Sequence, residues 1–139
     1  MKVFLDTNVM LDFLGERKLF FQPAQLIMNL ADKGKLTIYV SALSFATCNY
    51  FLGKEFGLSV TKEKLSKFKI ISNIVALDEQ IIDKSLTSKF SDFEDGLQYF
   101  SALKVDCNYI ITRNIKDFKV SKISALTPTE FLISLNSLL

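Results

Sequence analysis

Three stretches of this chain concentrate the side chains able to do chemistry. The apolar run KVFL at residues 2–5 stops at Asp6, followed by Thr7 and Asn8. The stretch SDFEDG at 91–96 carries Asp92, Glu94 and Asp95. A second apolar run, NYIIT at 108–112, ends in Thr112, Arg113 and Asn114, with Asp117 close behind. Carboxylates, amides and hydroxyls are oxygen donors, the set that hard divalent cations such as Mg²⁺ or Mn²⁺ prefer. Acids brought together would repel one another unless a cation neutralised them. Such an ion can orient a water and stabilise charge building on a phosphoryl oxygen.

Other chemistries find little support. There is no His and no CxxC spacing, so neither a zinc site nor a triad with imidazole as base is expected. Cys48 and Cys107 lie far apart without CxxC spacing and fit a reducing compartment. Each acid also has a plainer reading. Asp6 and Asp92 can act as helix N-caps, Asp95 suits a helix dipole, and Asp117 can be a solvated loop acid. Asn114 can simply take a turn conformation, and Arg113 can be a surface or phosphate-contacting group. Their joint placement at one predicted sheet edge is what favours a site.

Positioning such a set requires elements that deliver it to one edge. The chain has 139 residues, 49% of them hydrophobic, which predicts one globular domain over residues 1–139. A net charge of +2 neither supports nor excludes nucleic acid, so any nucleic-acid site must be local. The apolar runs are too short to span a bilayer, and an early acid and amide argue against a signal peptide. A cytoplasmic location is expected.

Strands are predicted at Lys2–Asp6, at 36–41, at 73–78, at 108–112 and, more weakly, at 122–126. Helices are predicted over Asn8–Leu14, Pro23–Lys33, Ala42–Leu52, Thr61–Ile71 and Glu79–Lys89. A longer helix, capped by Ser91 or Asp92, runs to about Lys104. Thr127-Pro128-Thr129-Glu130 reads as N-cap, N1 Pro and N3 Glu of a last helix. Thr61 is the expected cap of the Lys-rich helix. Asp92 and Asp95, three apart, are expected to share a helix face, with Glu94 turned elsewhere. Short apolar strands alternating with helices imply an α/β fold with a parallel sheet covered on both faces. Ligands of such folds bind outside the carboxyl ends of the strands, where Asp6 and Thr112 fall.

With these residues in hand, the chain resembles a known family. VFLDTNVMLDFL, DFEDGLQYFSAL and YIITRNIKDF look like the three signature blocks of PIN-domain ribonucleases, in particular the VapC-like toxins of bacterial toxin–antitoxin pairs. The resemblance covers nearly the whole chain. It implies a three-layer α/β/α fold with a central parallel sheet of about five strands. It also implies a Mg²⁺- or Mn²⁺-dependent endonuclease acting on RNA, an antitoxin partner and a homodimer. Asp6, Asp95 and Asp117 would be metal ligands and catalytic acids, Asp92 an additional candidate, and Asn114 part of the last block. Thr7, Asn8, Thr112 and Arg113 would support these ligands or contact substrate.

One departure stands out. Many members carry a Glu on the helix after the second strand, and the matching position here is Thr47. Glu55, eight residues on and about 12 Å along a helix, cannot replace it. The alternative to an active nuclease is therefore a weak or inactive PIN-like protein that binds RNA or a protein partner. A phospho-receiver domain also places acids at strand ends, but no adjacent acid pair opens this chain.

Overall fold

The computed structural model describes residues 1–138. The chain builds β1 (Lys2–Leu5), α1 (Thr7–Leu14), α2 (Phe21–Asp32), β2 (Thr37–Ser41), α3 (Ala42–Phe56) and α4 (Leu58–Ile71). It continues with β3 (Asn73–Val75), α5 (Glu79–Leu86), α6 (Phe93–Lys104) and β4 (Tyr109–Ile111). A 3₁₀ turn at Ile115–Phe118, β5 (Ser124–Leu126) and α7 (Pro128–Leu138) complete it.

The five strands form one sheet in the order β3-β2-β1-β4-β5, and every pairing is parallel. Burial on both faces explains why the strands are apolar throughout rather than alternating. Val3 and Leu5 of β1 face a core shared with α1, α2, α3, α4 and α7, through side chains such as Met10, Ile27, Leu52, Phe68 and Phe131. Phe4, between them, faces the opposite core with Ile81 of α5 and Leu97, Tyr99 and Ala102 of α6. Side chains alternate across a strand, so one four-residue segment anchors both helical layers. This is the expected α/β/α arrangement. Phe4 is fully buried, and truncating such a ring to Ala costs about 3–5 kcal/mol.

The chain leaves β1 towards β2 on one side, then returns across β1 to build β4 on the other. The strand order therefore reverses between β1 and β4, and a crevice opens there at the carboxyl edge. The Asp6 N–H donates to Ile111 O at 2.9 Å and Thr112 N–H to Leu126 O at 2.9 Å, so the ladders run to the lip of that crevice.

Several boundaries differ from the sequence reading. The Lys-rich helix α4 starts at Leu58, not Thr61, because Gly57 (φ 85°) provides the left-handed break after α3. Thr61 lies inside α4 and is buried, so it is not the cap. Helix α2 starts two residues before Pro23. Strand β3 keeps three residues, since Leu77 and Asp78 turn into α5, which Asp78 caps through Ile81 N–H at 2.9 Å. The start of α7 is as read: Glu130 N–H donates to Thr127 Oγ1 at 3.1 Å and Thr127 N–H to Glu130 Oε1 at 3.4 Å, a capping box.

Candidate active site

Asp6 is the innermost acid at the crevice, only 9% exposed. Its extended backbone makes it the N-cap of α1, and its Oδ1 accepts from Thr7 N–H at 2.9 Å. The cap and site readings thus describe one side chain, because capping uses one lone pair of a carboxylate that has several. Oδ1 also accepts from Gln98 Nε2 at 3.2 Å. Oδ2 accepts from Thr112 Oγ1 at 2.8 Å and from Asn8 Nδ2 at 3.2 Å. Each of these four donors is neutral. They fix the rotamer of Asp6 and leave its negative charge uncancelled.

The two strand ends are tied by the same residues. Thr112 Oγ1 donates to Asp6 and accepts from Asn114 N–H at 3.0 Å. Asn8 Oδ1 accepts from Arg113 N–H at 3.3 Å. The loop after β4 is thereby held against the start of α1. The 3₁₀ turn then delivers Asp117, whose N–H donates to Asn114 O at 3.0 Å.

From the second layer, α6 aims its first turns at the crevice. A cavity of about 250 Å³ is lined there by Asp6, Glu94, Asp95, Asn114 and Asp117, together with Gln98 and Thr47. Thr7, Asn8, Leu11 and Leu43 complete the lining, with no Lys or Arg in it. Asp92 takes the cap position expected of Ser91 or Asp92, but not the helix face it was expected to share with Asp95. It is the N-cap of α6, accepting from Asp95 N–H at 3.2 Å, and it lies outside the helix. Face-sharing by helical spacing therefore does not apply to it, and Glu94 lines the cavity instead.

Arg113 does not line the acid cavity. Its guanidinium turns away from the acids and grips the buried Asp12 of α1, with Nε–Oδ2 2.6 Å and Nη2–Oδ1 3.3 Å. Burial pushes the Asp12 carboxyl up, against the opposing pull of Arg113 and Arg17. Arg17 stands 3.7 Å from the same carboxylate.

Asp95 carries the strongest sign of unbalanced charge. Its carboxyl is pushed up to about 7, first by burial and then by the charges of Asp92, Asp117, Asp6 and Glu94. A cation in the cavity would act in the opposite direction. The all-oxygen donor set fits a hard divalent ion, and Gln98 Oε1 is a further buried oxygen with no hydrogen-bond partner among the described residues. Among the described residues no group of three or more acids stands ready-made to hold an ion.

Gln98 and Ser44 were not anticipated. Gln98 Nε2 also donates to Thr7 Oγ1 at 3.1 Å and Ser44 Oγ at 3.2 Å, and the two hydroxyls are 2.7 Å apart. This neutral network links α1, α3 and α6 beneath Asp6. The available signal was a polar side chain between Leu97 and Tyr99, one turn after Asp95. Asp12, in the apolar run VMLDFL, carried a similar signal.

A family model for the PIN domain matches residues 2–116. The chain belongs to the PIN domain family. Along 99% of its length this PIN domain is 33% identical to Ribonuclease VapC1 of Aquifex aeolicus (strain VF5), covering 97% of that relative. Among solved structures it superposes on VapBC2 from Rickettsia felis, bound to a promoter DNA fragment, with a TM-score of 0.68 and 19% identity. That match covers 91% of this chain and 98% of the other. A toxin–antitoxin complex from Klebsiella pneumoniae gives a TM-score of 0.69 at 21% identity, covering 91% and 97%. At such identities these structures establish the PIN fold alone.

Proposed function

We propose that this PIN domain is an endoribonuclease that hydrolyses RNA phosphodiester bonds with Mg²⁺ or Mn²⁺, and that it is the toxin of a toxin–antitoxin pair. The observation that carries this reading is the cavity lined by acids and by no Lys or Arg at the β1/β4 switch point, in a chain one-third identical to a ribonuclease over nearly its whole length. Asp6, Asp95 and Asp117 would hold the ion, with Asn114 beside them and Asp92, the cap of α6, an additional candidate. Bound there, the ion would supply positive charge for a phosphoryl oxygen and for an attacking water.

The chain's own groups do the rest. Thr7, Asn8, Thr112 and Gln98 orient Asp6, so the carboxylate pays little rotamer entropy when it binds. Thr47 offers a hydroxyl that can hydrogen-bond a water or a phosphate oxygen but adds no charge. That neutrality favours one ion over two, and it supports the second reading, a weakly active PIN domain that mainly binds RNA or a protein. The antitoxin complexes among the structural neighbours support a protein partner. The homodimer follows from the family resemblance. Two free, buried cysteines suit a cytoplasmic protein of one domain.

Titrating Mn²⁺ into a structured RNA with wild type and Asp6→Asn separates the readings. A nuclease shows metal-dependent cleavage that the variant loses. RNA binding without cleavage by wild type selects the second reading.

A further inference from the structure

A second cavity lies on the same carboxyl edge, on the β5 side of the acids. Its volume is about 370 Å³, against about 250 Å³ for the acid cleft. Asn114 lines both, so the two spaces are neighbours across one side chain. Resting on the nuclease reading, we propose that this cavity holds the base of a nucleotide flanking the cleaved phosphodiester of a single-stranded RNA.

The walls are those of a site for a flat, apolar body with polar edges. Phe20, 38% exposed, presents an aromatic ring, and the Arg113 guanidinium lies over it with Cζ 4.1 Å from the ring centroid. Leu19, Pro23 and Pro128 add apolar surface. The polar edge comes from Asn114 and the hydroxyls of Thr127 and Thr129. Thr127 Oγ1 accepts from Glu130 N–H, which leaves its own proton free to donate. Bases are bound without strict sequence readout by stacking on aromatic rings and Arg planes.

Charge decides between base and phosphate. Arg113 is the charged side chain of this wall, and Asp12 already neutralises it through two hydrogen bonds. The guanidinium is therefore held as a plane for stacking and is not a free cation for the backbone. The acid cleft is the place for the phosphate, by way of its metal ion. The base next to it enters the neutral cavity beyond Asn114.

The test uses single-stranded RNA carrying 2-aminopurine at successive positions. Binding is read with wild-type protein and Ca²⁺, another oxygen-seeking ion, in place of Mn²⁺, and cleavage with wild type and Mn²⁺. One position should be quenched on binding, and adding Phe20→Ala should abolish that quench. Affinity should fall roughly 5- to 160-fold, the range for losing one stacked base. The slope of log affinity against log salt should stay the same, because no phosphate contact is lost. Phe20→Trp should restore both signals, and Phe20→Leu, which keeps apolar packing, should not. Melting curves check that each variant is folded. Unchanged affinity in Phe20→Ala overturns the base site, and is the result expected if a protein partner occupies the cavity. A changed salt slope overturns it in favour of a phosphate contact. Cleavage without dependence on Phe20 leaves the nuclease reading standing and removes this one. Phe20-dependent binding without wild-type cleavage does the reverse, and neither binding nor cleavage removes both.

Discussion

At the scale of single residues, the site is governed by where negative charge is left unbalanced. Asp6→Asn keeps one carbonyl oxygen for the Thr7 and Gln98 donors but turns an NH₂ towards Asn8 and Thr112. A cost of about 1 kcal/mol is expected, with Mn²⁺ affinity lost. Calorimetry with Mn²⁺ checks this, and unchanged affinity would remove Asp6 from the site. In metal-free protein the Asp95 carboxyl sits near 7 against an ordinary 3.8. Folded chains then hold a proton that unfolded chains have released, so Asp95 lowers stability as pH rises from about 4 to about 7, with the full penalty above. Asp95→Asn should melt higher than wild type at pH 8 in EDTA, by about 1–2 kcal/mol after solvent screening, and by little at pH 4. Thr47→Glu adds an anion to the same cavity. It should destabilise the metal-free protein and gain more in melting temperature from Mn²⁺ than wild type does. An equal gain would mean that position 47 takes no part in binding. The strand-end acids could be read from sequence because each follows an apolar run. The Arg113–Asp12 pair and the Gln98 network could not, since their partners lie 101 and 92 residues apart and only the fold brings them together.

At the scale of elements, α1 links two tasks. Its N-terminus carries the Asp6 cap and its last turn buries Asp12, which holds the loop after β4 through Arg113. Asp12→Ala strands a guanidinium that is 28% exposed, so a loss of about 2–3 kcal/mol is expected, less than for a fully buried pair. Metal affinity should fall as well, because Asn114 and Asp117 follow that loop. Denaturant melts and Mn²⁺ titration of the variant measure the two effects, and unaltered Mn²⁺ affinity would show that the loop keeps its place without the pair. Local chemistry made the α7 capping box readable, since Thr, Pro and Glu act within one turn. It misplaced the start of α4, where Thr61 offered a plausible cap but Gly57 had already turned the chain. Tertiary burial of Thr61 overrode its local preference. The 3₁₀ turn at Ile115–Phe118 went unread because four residues are too few for a periodic signal.

At the scale of the whole molecule, the fold class was readable from short apolar strands alternating with helices. The strand order was not, because apolar runs state burial and not neighbours. The site draws on α1, α3, α6 and the loop after β4, so an ion held there would cross-link segments distant in sequence. At about 100 times its dissociation constant, Mn²⁺ should add roughly 2.7 kcal/mol, raising the melting temperature by roughly 5–10 °C. Asp6→Asn should show no such rise, and calorimetric scans with and without the ion compare them. The order β3-β2-β1-β4-β5 has one more consequence. A ribosome releases β1 and Asp6 well before β4, and β1 gains its second neighbour only when β4 has emerged. Until then Asp6 lacks Thr112, Asn114 and Asp117. A nascent chain that has not yet passed Asp117 thus carries no assembled cleft, and a cell translating this protein meets its chemistry only after that point.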